Sequence, residues 1–259
     1  MAKWTSDQSG LINWKASMAM IGMARSKPIQ ARIAAIVART ENDPYRENKT
    51  ALKELVEHAT QIAQAQGRAD IGTAVHEFTE LLDAGKLDWQ FVPEQLKAPL
   101  AAYREKMQGF ETVDTEVFVA LDVEDDGKPL RGAGSLDRLI RHPELGVCVA
   151  DIKTGADEPT YSLGVTTQVA IYARGSRYRD ARFSGSPAFT DGEANADGTA
   201  YRKELHPELN KSVGIMIHLP IDRAECTLYA LDLDRGWDSL LLGNRIQKSR
   251  RPPKLKRID

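Results

Sequence analysis

Near residue 110 the hydrophobic period of the chain changes from that of a helix to that of a strand, and this change limits the folds open to it. Before it, Leu52, Leu55, Val56, Ala59, Ile62 and Ala63 recur at helical spacing, and so do Ile71, Ala74, Val75, Phe78, Leu81 and Leu82. Gly85 suits a helix stop, and Pro93 can open a further helix that ends near Gly109. After it, Thr112–Val123 is β-branched and alternates in polarity, and Asp125-Asp126-Gly127 is turn chemistry. Ala133–Arg141 and Val147–Lys153 follow as strands, then a helix over Ser162–Arg174, strands over Ser212–Leu219 and Glu225–Asp232, and a helix over Arg235–Lys248. The stretch 177–210 is polar and rich in Gly, Asp and Ser, and reads as a long loop or small insertion. The order predicts an α/β fold: one mixed β-sheet flanked by helices over 111–259, with a helical region over 1–110 forming a lobe at one edge.

Composition excludes several classes. No run of eighteen apolar residues is present to span a membrane, and the N-terminus does not read as a secretory signal. Two cysteines, Cys148 and Cys226, argue against a disulfide framework or a cysteine metal site and suit a reducing cytoplasm. The net charge of −2 points to no polyanionic partner by itself. The C-terminal tail differs, because Lys248, Arg250, Arg251, Lys254, Lys256 and Arg257 crowd it. Such a cluster is either a solvated tail or a phosphate contact.

The chemistry concentrates in Gly134-Ser-Leu-Asp137-Arg138 and Asp151-Ile152-Lys153-Thr-Gly155. With His142–Gly146 as a hairpin loop, Arg141 faces Val147, and counting back equally along both strands sets Asp137 opposite Asp151. Opposed side chains have Cβ atoms about 5 Å apart, so two carboxylates there repel unless a cation lies between them. Lys153 follows Asp151 by two residues and shares its strand face. Two carboxylates and an ammonium on one face can hold a cation, a water and a phosphate together. A solvated hairpin with outward charges is the competing reading of these residues alone.

Four blocks in order, Gly72-Thr-Ala-Val-His76-Glu, Gly134-Ser-Leu-Asp137-Arg, Asp151-Ile-Lys153-Thr-Gly155 and Gln168-Val-Ala-Ile-Tyr172-Ala, resemble the RecB-like branch of the PD-(D/E)XK nucleases. They span about residues 70 to 175. The resemblance implies a restriction-endonuclease-like core and a Mg²⁺- or Mn²⁺-dependent deoxyribonuclease, an exonuclease in DNA recombination, repair or phage replication. It implies His76, Asp137, Asp151 and the main-chain carbonyl of Ile152 as metal ligands and Lys153 as the catalytic lysine. Gln168 and Tyr172 match the helix motif beside the site, Arg138 is assigned a phosphate contact, and Glu116 is a supporting acid. Relatives that hold an iron–sulfur cluster do so with four cysteines, so no such cluster is expected here. DNA is the implied partner, with a single-strand annealing or other recombination protein beside it. An endonuclease of the same chemistry and a non-catalytic DNA-binding or assembly module remain as alternatives. His76-Glu77 is not a metalloprotease signature, because position 80 is glutamate where a second histidine is needed.

Overall fold

The computed structural model describes residues 9–40, 42–63, 65–156, 162–180, 192–196 and 198–250. The chain divides inside one helix into two compact units, Asp7–Ala74 and, chiefly, Val75–Asp259. The first unit holds α1 (Ser9–Arg25), α2 (Lys27–Arg39), α3 (Pro44–Glu47) and α4 (Lys49–Ile62). Its helix starts are written locally. Ser26 caps α2 by accepting the Ile29 N–H, and Asp43 caps α3 by accepting from Tyr45 and Arg46. Ile29, Leu55 and Ala59 form its buried core, with Met23, Ile33, Ile36 and Ile62 packed around them.

Helix α5 (Ala65–Asp83) runs into the second unit, followed by α6 (Glu94–Lys106). Then come β1 (Glu111–Asp125), β2 (Lys128–His142), β3 (Gly146–Lys153), α7 (Leu163–Ala173), β4 (Ser176–Asp180), β5 (Glu193–Ala194), β6 (Ala200–Lys203), β7 (Val213–His218), β8 (Thr227–Asp232) and α8 (Leu233–Ser249). The strands form one eight-stranded sheet in the order β5-β6-β4-β1-β2-β3-β7-β8. Strands β3 and β7 pair parallel and the remaining neighbours pair antiparallel, so the expected mixed α/β sheet is present. A parallel pair needs a long crossover, and α7 lies within it. Val169, Ala170, Tyr172 and Ala173 of α7 pack on Leu136, Leu139, Val149 and Met216 of the sheet. Ile171 of α7 and Leu240 of α8 join Leu121 and Leu130 in a second cluster.

The polar stretch 177–210 departs from its reading as a loop. Parts of it form β4, β5 and β6, which extend the sheet beyond β1. Arginine and tyrosine alternate there in place of apolar residues, so the strand period carries no hydrophobic signal. Pairing is supported instead by cation–π stacking of Arg179 over Tyr201 and Arg202 over Tyr178. Of the basic tail, Lys248 and Arg250 are described, while Arg251, Lys254, Lys256 and Arg257 lie outside the described residues. Among the described residues no helix is long and apolar enough to cross a membrane.

Candidate metal centre

Two hairpins bring acids from three neighbouring strands to one level of the sheet. In the first, Asp126 and Gly127 both have positive φ, +54° and +66°. That is the two-residue turn whose twist suits a β-hairpin. It sets Asp125 against Lys128, and the register runs on through Val117↔Leu136 and Thr115↔Arg138, which places Glu116 across from Asp137. In the second, the pairs His142↔Gly146 to Arg138↔Ala150 follow the expected register. Asp137 and Asp151 occupy its next step. There the regular ladder gives way to a side-chain bond, in which the Ile152 N–H donates to Asp137 Oδ2 at 2.7 Å. In an antiparallel strand a residue's N–H and C=O face the same neighbour, so the Ile152 carbonyl also lies on the β2 side.

Glu116 sits at φ +49°, a left-handed conformation that a long side chain adopts at a cost. The strain coincides with the point where its carboxylate meets the site. His76 of α5 brings Nδ1 to 3.6 Å from Asp137 Oδ2. His76, Glu116 and Asp137 each offer one donor atom, and these atoms lie within 4.8 Å of one another. Asp151 stands beside this group. It is 2 % exposed, and its buried Oδ2 has no well-directed hydrogen-bond donor; the nearest charge is Lys153 Nζ at 2.5 Å, an ion pair.

Burial is the leading influence on the ionisable groups here, and neighbouring negative charge adds to it. Burial raises the pKa of Asp151, and Asp137 adds to the rise against the pull of Lys153. Burial likewise raises that of Glu116, with further contributions from Asp137 and Glu80. The Tyr172 phenol is pushed up by burial and by Asp151, Asp137 and Glu116, while its bond from Gln168 opposes this. A cation placed among them would offset the mutual repulsion of the acids. Three carboxylates, the buried one of Asp151 balanced only by Lys153, and one imidazole make an oxygen-rich donor set that fits a hard divalent ion such as Mg²⁺ or Mn²⁺.

Helix α7 closes over this level of the sheet. Gln168 Nε2 donates to the Tyr172 hydroxyl at 3.2 Å, and Tyr172 is buried against β2. Gly134 leaves the space that the ring occupies, since a Cβ there would lie 2.8 Å from the hydroxyl. Arg138 does something other than the phosphate contact assigned to it. Its side chain is wholly buried, and its guanidinium is bound to Asp83, Thr79 and two main-chain carbonyls. All three of its nitrogens donate to groups of the protein and the side chain is out of contact with solvent, so it presents no surface for a passing phosphate. Glu116, expected as a supporting acid, is by contrast part of the three-residue donor group. Its place could be read by counting back from the Asp-Gly turn, as was done for Asp151 from the second loop.

The chain is thus a mixed α/β protein with a His/Glu/Asp cluster at the junction of β1, β2 and α5. No family model matches it, and no curated protein matches it. Among solved structures it is similar to one titled "Crystal structure of SSO0001", with a TM-score of 0.36 and 14% identity over 86% of this chain and 85% of that one.

Proposed function

We propose that this chain is a Mg²⁺- or Mn²⁺-dependent deoxyribonuclease of the RecB-like PD-(D/E)XK type, acting as an exonuclease. The observation that carries the reading is the convergence of His76, Glu116 and Asp137 beside the ion pair of buried Asp151 with part-exposed Lys153. These are the residue types, in chain order, of the motifs that the sequence resembles. His76, Glu116, Asp137, Asp151 and the carbonyl of Ile152 would hold the cation. When bound, a divalent ion supplies Lewis-acid charge that polarises a phosphate and makes water a better nucleophile.

The protein's own groups supply the rest. Asp151 holds the Lys153 ammonium in place from its buried side, while the lysine side chain remains 38% exposed and free to meet a phosphate. There the ammonium orients the attacking water and offsets charge that develops on the scissile group. The hydrogen bond from Ile152 fixes one Asp137 oxygen against rotation. Gln168 and Tyr172 fix each other across one turn of α7 and position the nucleic-acid strand beside the acids. Burial of Asp151 and Tyr172 keeps bulk water out of the interior side of the site.

Digestion of end-labelled linear DNA beside covalently closed circular DNA, with and without Mg²⁺, tests the proposal. Metal-dependent loss of the linear substrate with the circle intact is the expected result. Cleavage of the circle would establish an endonuclease of the same chemistry. Binding without cleavage of either, in Mg²⁺ and in Mn²⁺, would show a DNA-binding module and refute the catalytic reading.

A further inference from the structure

We infer that Arg138 is a positioning residue for the metal centre: one buried guanidinium ties the main chain of His76 on α5 to the main chain of Asp137 on β2 and so sets the separation of those two donors. The inference rests on the metal-binding reading above.

The bonds are specific. Nη1 of Arg138 donates to the Asp137 carbonyl at 3.0 Å, and Nη2 donates to the His76 carbonyl at 3.4 Å. Nη2 also donates to Thr79 Oγ1 at 2.6 Å, and that hydroxyl donates in turn to the His76 carbonyl at 2.8 Å. On the far side Nε meets Asp83 Oδ2 at 2.7 Å, and the Tyr103 hydroxyl donates to both Asp83 oxygens at 2.9 and 3.0 Å. Each of the three guanidinium nitrogens has an acceptor in the network, and Asp83 supplies the counter-charge.

Stability alone is a poor reason for such a group. A buried ion pair is often no better for stability than well-packed apolar side chains of the same volume. What apolar side chains cannot do is hold two carbonyls from separate elements at a fixed spacing. A planar fork with donors in set directions does this, and the point donor of a lysine does not. The two carbonyls belong to the residues whose side chains approach to 3.6 Å at the site. Groups behind metal ligands commonly govern affinity by orienting them, and their loss typically costs about 10–100-fold.

Calorimetric titration of the full chain with MnCl₂, beside thermal unfolding of the same preparations, tests the inference. Arg138→Lys and Thr79→Val are expected to unfold cooperatively yet bind Mn²⁺ about tenfold or more weakly than the wild type. Thr79→Ser, which keeps the hydroxyl, should restore tight binding. Leu240→Ala, on the buried face of α8, should lower the melting temperature and leave the Mn²⁺ affinity unchanged. A folded Arg138→Lys or Thr79→Val protein with wild-type affinity would overturn the inference, and Thr79→Val decides the matter if Arg138→Lys does not fold. Wild-type protein that takes up no Mn²⁺ would refute the metal centre itself, and the positioning role with it.

Discussion

At the scale of single residues, the division of labour follows from burial. Asp151 is almost without solvent, whereas Lys153, paired to it, keeps a share of its side chain in water. In the proposed reaction the buried partner anchors and the more exposed partner acts. Lys153→Ala removes the group proposed to meet the phosphate and leaves the donor set of His76, Glu116 and Asp137 in place. Its cleavage rate should fall by about 10²-fold or more, with Mn²⁺ still bound as judged by calorimetry. A variant that loses Mn²⁺ binding along with cleavage would mean that Lys153 holds the site together instead of acting in it.

At the scale of elements, the packing of α7 on β2 is tight at one point. Gly134→Ala would place a methyl 2.8 Å from the Tyr172 hydroxyl and 3.2 Å from the ring, so Tyr172 must move. Overpacking of this kind costs about 1–3 kcal/mol, which chemical denaturation can measure. Because the hydroxyl is the nearest atom, adding Tyr172→Phe should recover part of the loss, and strict additivity of the two changes would contradict the contact. The end of β1 is joined to α8 in another way. The Asp125 carboxylate accepts from Asn244 and lies near Lys248 and Arg245, at 3.5 and 3.6 Å. The Asn244 bond chiefly, then the two cations, hold its pKa below the ordinary value of 3.8, although burial opposes them. An acid with a lowered folded pKa contributes stability that is complete above its unfolded value and is lost as pH falls through the folded one. Asp125→Asn should therefore melt below the wild type near neutrality, and the two melting curves should converge as the pH is taken below about 4. A constant gap into strong acid would show that the carboxylate's charge is not what joins the elements.

At the scale of the whole molecule, the proposed metal centre would tie the second unit's stability to a cation. A ligand that binds the folded site and not the unfolded chain stabilises the fold by about 2.7 kcal/mol at a hundredfold excess over its dissociation constant. Mg²⁺ or Mn²⁺ should raise the melting temperature of the wild type accordingly. Asp151→Asn removes a buried charge whose desolvation outweighs the pull of Lys153, so without metal it should melt no lower than the wild type. It also removes a donor, so added metal should do little for it. Four melting curves at one pH and ionic strength make the comparison, and a mutant that gains as much from metal as the wild type excludes Asp151 from the donor set.

The features legible in the sequence are those governed by neighbours along the chain. Helical and strand periods, capping residues and the two hairpin loops are local, and hairpin register follows from the loop because side chains alternate with a period of two. Counting from His142–Gly146 put Asp137 and Asp151 at one level, and counting from Asp126-Gly127 places Glu116 beside them. What the tertiary structure decided depends on partners remote in sequence. Arg138 reads as a free cation next to a catalytic acid until Asp83, 55 residues away, and Thr79, 59 away, take up its donors. Strands β4 and β6 lack apolar alternation, and only pairing with β1 and with each other makes them strands. The left-handed backbone of Glu116 has no signature in residue type; it is imposed where α5, β1 and β2 meet. Local rules settle which residues share a level of the sheet, but the fate of a charge is a sum over everything folded around it, and that sum exists only once the chain has closed.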